Sequence, residues 1–174
     1  MKFLTRIFTL WFVNSIRKKT GNQTASTNFV SNSHFFVLLL PDGEKEFLAS
    51  LQVLNFLLSL KKEVTIIHNN AKAHYIHQKY SIRSIEYYQT DSNKIGLPTS
   101  TFRKKLSEVK ADVVIDLSRD ENYFSIFSAY CVPAKIRVGF EKNDSDKFYT
   151  IQIRSSEINH EISYKNFLNC LQMF

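Results

Sequence analysis

Residues 111–140, ADVVIDLSRDENYFSIFSAYCVPAKIRVGF, contain the pattern that decides the fold. The run from Val113 to Leu117 is mostly apolar and rich in β-branched residues, which is typical of a strand buried on both faces of a parallel sheet. The polar residues 118–122 then precede a helical segment that Pro133 ends. Residues 135–140 have the pattern of the next strand. This order predicts a right-handed β-α-β unit with parallel strands.

The rest of the chain alternates strands and helices in the same way. Residues 35–40 form an apolar run typical of a central first strand, and an amphipathic helix follows from about Glu44. The pattern predicts further strands at residues 64–68, 84–88 and 147–153, and a terminal helix from Ile158. We therefore expect an α/β fold, Rossmann-like and doubly wound, with a mostly parallel sheet. In such sheets, ligands bind outside the carboxyl ends of the strands.

The composition predicts one domain with an N-terminal extension. The boundaries are an amphipathic helix at 1–19, a polar linker at 20–33 and the Rossmann-like domain at 34–174. The linker, TGNQTASTNFVSNS, is rich in Thr, Ser and Asn, which is typical of a flexible tether. A chain of 174 residues is too short for two large domains. The cysteines, Cys131 and Cys170, lie in apolar contexts that indicate buried, reduced thiols in a cytoplasmic protein.

The first 19 residues, MKFLTRIFTLWFVNSIRKK, combine bulky apolar side chains with five basic residues and no acid. The formal net charge of the whole chain is +7, and the remaining 18 basic and 16 acidic residues nearly balance. This distribution does not indicate a nucleic-acid partner. An aromatic amphipathic helix that ends in a basic cluster is typical of a membrane surface with anionic lipid.

Two other interpretations of this N-terminal helix stay open. It could pack on its own domain or on a partner protein, or it could be a cleaved signal peptide, which Arg6 inside the apolar run disfavours. The residues that we expect to contact the membrane or a partner are Phe3, Ile7, Phe8, Trp11, Phe12, Arg17, Lys18 and Lys19.

The stretch quoted above resembles the N-terminal, acceptor-side domain of glycosyltransferase family 9, the ADP-heptose:lipopolysaccharide heptosyltransferases. A strand that ends in Ile-Asp-Leu precedes a helix with Ser-x-x-x-Ala, and Ala-x-x-Arg-x-Gly-Phe follows. The spacing from Ser125 to Phe140 fits without a gap, whereas the segment before Ser125 is slightly longer than in the usual pattern. The matching residues are Ile115, Asp116, Leu117, Ser125, Ala129, Ala134, Arg137, Gly139 and Phe140.

The resemblance implies one half of a GT-B-type architecture and a candidate catalytic base. In the family, the aspartate of a Gly-Asp pair in the loop after the first strand activates the acceptor hydroxyl. Lys45 and Glu46 stand at this pair here, so Glu46 or Asp42 is the candidate base, and Gly43 is a candidate ligand contact. The alternative is that these are solvated charges at the start of a helix, which favours acids.

The loop after Ile-Asp-Leu holds two further candidate ligand contacts. The family commonly has Gln-Gly there, whereas this chain has Ser118 and Arg119. Arg119 could contact a phosphate, or it could pair with the acidic Asp120 and Glu121 beside it.

Neither a cofactor nor a metal site is predicted. The chain lacks G-x-G-x-x-G, and His74 and His77 have no third ligand at a suitable spacing. In the family, a second domain binds the nucleotide-sugar donor, and we expect this chain to lack it. We therefore expect a non-catalytic interaction or scaffold subunit, peripheral to the inner membrane of a bacterium on its cytoplasmic face, with that membrane or a membrane-protein complex as partner. The alternative is a glycosyltransferase half-enzyme of lipopolysaccharide or other glycan assembly, whose donor domain is on another chain.

Overall fold

Six strands form one parallel sheet: β1 (Phe35–Leu39), β2 (Glu63–Asn69), β3 (Arg83–Tyr87), β4 (Val113–Asp116), β5 (Ile136–Phe140) and β6 (Ile151–Ile153). Their order is β3-β2-β1-β4-β5-β6, and every pairing is parallel. This computed structural model describes residues 2–20 and 27–174, with side chains for residues 4–15 and 27–174. The strand order reverses between β1 and β4, as in the doubly wound fold. The predicted fold class is confirmed.

Helices connect the strands and cover both faces of the sheet. Within the described residues they are α1 (Lys2–Thr20), α2 (Phe29–Asn32), α3 (Glu44–Ser59), α4 (Ala73–His77), α5 (Ser100–Ser107), α6 (Tyr123–Cys131), α7 (Ser145–Phe148) and α8 (His160–Leu171). On one face, α3 and α8 bury Phe47, Leu54 and Phe167 against the strands. On the other face, α5 and α6 bury Phe102 and Leu106. The helices therefore exclude solvent from both faces of the sheet, which explains why the central strands are continuous apolar runs.

The buried carboxylate of Asp116 connects the motif residues of the β4-α6-β5 unit. Its Oδ1 accepts hydrogen bonds from the Ser125 hydroxyl (2.8 Å) and from the Ser118 backbone N–H (3.0 Å). Its Oδ2 accepts from the Tyr149 hydroxyl and lies 3.4 Å from the Lys142 ammonium. Burial, followed by the nearby Asp116 charge, holds the pKa of Tyr149 well above its ordinary value, so the phenol stays a donor.

Gly139 and Arg137 support the same unit. A Cβ at position 139 would come within 2.6 Å of the Tyr149 ring, so the close packing of this ring on β5 requires glycine. The Arg137 guanidinium donates to the carbonyl oxygens of Ala129, Val132 and Ala134 at the end of α6. These contacts give the motif residues a role in the fold.

The described part of the predicted linker is packed on the domain. Helix α2 buries Phe29 and Val30 in the core, and the Phe29 ring lies 5.0 Å from that of Phe174. The packed domain therefore begins before the expected boundary at His34, because these two apolar residues interrupt the polar segment. Residues 21–26 of the expected linker lie outside the described residues.

The segment before β6 also differs from the prediction. We expected a strand at residues 147–153, but residues Ser145–Phe148 form α7 and only Ile151–Ile153 pair with β5. Phe148 and Tyr149 are both buried, and strand alternation cannot point two consecutive side chains toward the same core. A helical turn allows both side chains to pack beneath α1.

One face of α1 packs on the domain. Val13 is fully buried, and the Phe12 ring stacks on Phe127 with 3.8 Å between ring centroids. The Thr5 hydroxyl donates to the carbonyl oxygen of Ile95 (2.6 Å), and Arg6 forms an ion pair with Asp144. Self-packing, one of the open interpretations of this helix, therefore applies to this face. Phe12 differs from its expected role because its ring faces α6.

The opposite face of α1 is exposed and apolar. It consists of Leu4, Ile7, Phe8 and Trp11, which are 52%, 46%, 50% and 70% exposed. We call these four residues the apolar stripe; their spacing places them on one side of the helix. Ile7, Phe8 and Trp11 were expected contact residues, whereas the side chains of Phe3, Arg17, Lys18 and Lys19 lie outside the described residues. Among the described residues, none of the helices combines the length and apolar character needed to cross a bilayer.

Candidate functional site

A cleft of about 620 Å³ lies at the carboxyl ends of β1 and β4, where the strand order reverses. This is the place where doubly wound sheets bind ligands. Loops after the two strands form its walls, and Thr5 of α1 closes one side. The lining residues are Thr5, Pro41, Asp42, Gly43, Glu46, Asn93, Lys94, Ile95, Gly96, Ser118, Asp120, Glu121, Asn122, Tyr123 and Phe124. Four of the five candidate site residues are therefore brought together here.

Asp42, the first candidate base, accepts hydrogen bonds from three separate elements. The hydroxyl of Tyr87, the last residue of β3, lies 2.7 Å from Oδ1, and the amide of Asn69, the last residue of β2, lies 3.1 Å from it. The Asn122 amide, which also caps α6, lies 3.5 Å from Oδ2. Burial and the neighbouring Asp42 raise the pKa of Tyr87, so this phenol remains a proton donor. The Asp42 carboxylate therefore holds the ends of β2, β3 and α6 together.

Glu46, the second candidate base, is similarly engaged. Its Oε1 accepts from the backbone N–H of Arg119 (3.0 Å) and from the Tyr164 hydroxyl (3.2 Å), whose single proton is shared with the carbonyl oxygen of Leu117. Burial and the nearby Glu46 raise the pKa of Tyr164. Glu46 thus links α3 to the loop after β4 and to α8. Both hydrogen bonds fall on Oε1, so they fix the orientation of the Glu46 carboxylate.

Ser118 and Gly43 are small residues that line the cleft. Ser118 is 4% exposed, and its Oγ has no hydrogen-bond partner among the described residues. Gly43 has φ −65°, and a Cβ at this position would make ordinary contact with Glu46 at 3.6 Å. Its backbone conformation therefore does not require glycine. Because the Ser118 Oγ is buried, the side chain would have to rotate toward the cleft to contact a ligand there.

Arg119 is turned away from the cleft. Its Nη1 donates to the carbonyl oxygen of Ile158 (3.4 Å) and lies 3.1 Å from His160 Nδ1, and its Nη2 donates to the carbonyl oxygen of Glu157. The side chain holds the segment before α8 and is not among the residues that line the cleft. It also does not form the expected pair with its acidic sequence neighbours. Sequence reasoning could not predict this, because the loop conformation decides on which side the side chain lies.

The charge of the cleft is mainly acidic. Asp42, Glu46, Asp120 and Glu121 line it, and Lys94 is the basic residue among the described lining residues. A negative potential of this kind disfavours phosphate groups. Neutral hydroxyl-bearing molecules, such as sugars, or cations suit the cleft better.

A cluster of three potential metal ligands lies outside this cleft. His68, His77 and Glu86 come together at the ends of β2 and β3, although we expected no metal ligands. His77 pairs with Glu86 and not with His74, its neighbour at i−3. The signal that could have indicated the cluster is the position of His68 and Glu86 in two successive predicted strands, residues 64–68 and 84–88.

Comparisons with known proteins bear on the fold of the chain. No family model and no curated protein matches the chain. A glycosyltransferase family 9 structure from Veillonella parvula DSM 2008 is similar with a TM-score of 0.61 and 15% identity, over 81% of this chain and 42% of that one. Phenylacrylic acid decarboxylase from Aquifex aeolicus aligns with a TM-score of only 0.40, 12% identity and coverage of 80% and 97%. The chain thus spans less than half of the family 9 structure, and its fold is similar to that of a family 9 glycosyltransferase.

Proposed function

We propose that this glycosyltransferase family 9-like domain is a non-catalytic interaction subunit that binds an anionic membrane surface, on its cytoplasmic face, through α1. The observation that carries the proposal is the apolar stripe. Helix α1 is fixed to the domain by Val13 and Phe12, yet Leu4, Ile7, Phe8 and Trp11 remain in water. An exposed apolar face of this kind on a helix that is already packed is a surface that can contact a membrane or another molecule.

Charge supports a membrane as the occupant of the stripe. The first 20 residues contain five basic residues and no acid. Each Lys or Arg near an anionic bilayer contributes about 1 kcal/mol of attraction. Arg6 is paired with Asp144, which leaves Lys2 and the cluster of Arg17, Lys18 and Lys19 at the two ends of the helix as the cationic groups for lipid headgroups. Aromatic residues flanked by basic residues suit the bilayer interface.

The state of the cleft supports a non-catalytic role. Asp42 and Glu46 serve as acceptors for fixed donors from neighbouring elements. Arg119 points away from the cleft and holds the segment before α8 instead. We infer from these contacts that the carboxylates of Asp42 and Glu46 stabilise the loops and do not transfer a proton.

The proposal predicts binding of the full-length, untagged chain to vesicles. We expect the protein to sediment with vesicles that contain phosphatidylglycerol and to remain largely in the supernatant with pure phosphatidylcholine. Added salt should weaken the binding, because it screens the basic residues, without abolishing it, because apolar burial is not screened. If the chain stays in the supernatant with anionic vesicles at low salt, the stripe is not a membrane-binding face.

A second candidate function is a glycosyltransferase half-enzyme whose donor domain is on a separate chain. The specific observation in its favour is that Glu46 and Asp42 line a cleft at the strand-order reversal. Our proposal predicts no turnover of ADP-heptose by the purified chain or by complexes isolated with it, whereas the half-enzyme predicts turnover once its donor-domain chain is present. It also predicts that Glu46→Ala lowers the free energy of unfolding by about 1–3 kcal/mol, since Arg119 N–H and the Tyr164 hydroxyl lose an acceptor. Turnover by the wild type that Glu46→Gln abolishes without loss of stability would favour the half-enzyme.

A further inference from the structure

Three metal-ligating side chains converge beside the edge strand of the sheet, apart from the cleft and from α1. The ligand atoms of His68, His77 and Glu86 all lie within 4.8 Å of one another. His77 Nε2 is 3.0 Å from Glu86 Oε1. The three residues come from β2, from α4 and from β3, so the cluster joins three consecutive elements of the fold.

His68 is prepared to act as a ligand. The side chain is fully buried, and its Nδ1 lies 2.9 Å from the carbonyl oxygen of Asn69. Because a carbonyl oxygen only accepts, Nδ1 carries the proton, and Nε2 keeps its lone pair. Nε2 is buried and has no hydrogen-bond partner among the described residues.

Glu86 and His77 complete the set from two sides. His68 and Glu86 are register partners in the β2–β3 pair, so their side chains lie on the same face of the sheet. The Asn70 amide donates to Glu86 Oε2 (2.7 Å), which orients Oε1 toward His77. The His77 side chain is more than half exposed, so water can reach the cluster from this side and the imidazole ring can change its orientation. Such outer hydrogen bonds to a histidine and a carboxylate are typical of metal sites.

We propose that His68 Nε2, His77 Nε2 and Glu86 Oε1 bind a zinc ion, with water as the fourth ligand. Two imidazoles and one carboxylate are a recurrent zinc set, with bonds of about 2.0–2.2 Å. Imidazole nitrogens select zinc over magnesium and calcium, which prefer oxygen ligands. With these bond lengths, tetrahedral ligand atoms are about 3.3 Å apart. The exposed His77 side chain supplies the small movement needed, since His68 is fixed by burial.

The zinc ion would fasten α4 to the edge of the sheet and would support the cleft. The next residues along the two strands, Asn69 and Tyr87, point to the other face and hold the Asp42 carboxylate. Fixing His68 and Glu86 therefore also fixes the strand ends that position Asp42. The zinc ion would thus stabilise the fold, although its water-occupied fourth position differs from the four protein ligands of a typical structural zinc site.

Zinc binding to the untagged full-length chain tests the proposal, measured by calorimetry and by thermal unfolding. We expect one zinc per chain, a higher melting temperature with zinc, and no such shift with magnesium. His77→Ala and Glu86→Gln should each weaken zinc binding at least tenfold and remove the shift. His74→Ala is the matched control, because His74 lies on the same helix outside the cluster, and it should bind zinc like the wild type.

Two outcomes would overturn the proposal. One is that the wild type neither binds zinc nor gains thermal stability from it, which would leave a buried histidine beside an ordinary surface ion pair. The other is that His77→Ala and His74→Ala bind zinc equally well, which would place the metal on other side chains. The His77 side chain is more than half exposed, so its replacement should leave the core intact. Loss of zinc binding in His77→Ala would then report the loss of a ligand and not misfolding.

Discussion

Asp116→Ala is expected to lower the free energy of unfolding by about 3–5 kcal/mol, because it removes one partner of a buried ion pair. The Asp116 side chain is fully buried, and that of Lys142 is only 5% exposed at a distance of 3.4 Å. Without the carboxylate, the Lys142 ammonium stays in the interior without a counter-charge. The hydroxyls of Ser125 and Tyr149 lose their acceptor as well.

Urea denaturation of a small variant set measures this effect. Asp116→Asn keeps an oxygen acceptor but removes the charge, so we expect an intermediate loss. Adding Lys142→Met to Asp116→Ala should recover part of the stability, since the uncompensated charge is then gone. Asp146→Ala, at an exposed position on α7, is the control and should stay within about 0.5 kcal/mol of the wild type. A loss below about 1 kcal/mol for Asp116→Ala would contradict the role of Asp116 in the fold.

The double substitution Phe8→Ser and Trp11→Ser is expected to weaken binding to anionic vesicles about 100-fold or more. Each large apolar side chain gains roughly 1.5–3 kcal/mol when it is buried, and 1.4 kcal/mol corresponds to a tenfold change in affinity. Both side chains belong to the apolar stripe and are at least half exposed. Their loss should leave unfolding unchanged, because Val13 and Phe12 hold α1 on the domain.

Ile158→Ser is the matched control for this prediction. Ile158 is 92% exposed and lies in the loop before α8, away from the stripe. Its replacement should not change vesicle binding. Equal binding by the double variant and the wild type, or an equal loss in Ile158→Ser, would contradict the assignment of the membrane-binding face. Deleting α1 is a poorer test, because it would expose the surface of α6 and α7 beneath Val13.

Much of the fold could be predicted from the sequence, because apolar, β-branched runs such as residues 35–40 have few alternatives to a buried strand. The short α2 and α7 were missed for opposite reasons. Phe29 and Val30 are two apolar residues inside a polar segment, too few to give a periodic signal. Residues 145–148 precede β6, and the adjacent aromatic residues Phe148 and Tyr149 have the composition of a strand, so the sequence pattern merged them with it.

The orientation of α1 could not be predicted, because apolar residues surround most of this helix. Phe12 and Val13 face the domain, whereas Phe8 and Trp11 face away, and the sequence alone does not separate the two sets. Only the surface of α6 and α7 decides which set is buried.

The candidate cleft could be predicted in position but not in chemistry. The carboxyl ends of β1 and β4 share one edge of the sheet, so Asp42, Glu46 and Ser118 had to lie near each other. Their partners could not be foreseen, because Tyr87 and Tyr164 approach from elements far away in sequence. The same reason hid the cluster of His68, His77 and Glu86, whose members are 9 or more positions apart.

The fluorescence of Trp11 tests the central claim, that α1 binds an anionic membrane, most directly. Trp11 is the single tryptophan of the chain, lies in the apolar stripe and is 70% exposed, so its emission reports on this face alone. On addition of phosphatidylglycerol vesicles, our account predicts that the emission shifts to shorter wavelength and that iodide in the water quenches it less. An emission maximum and a quenching constant that stay the same with and without these vesicles would contradict it.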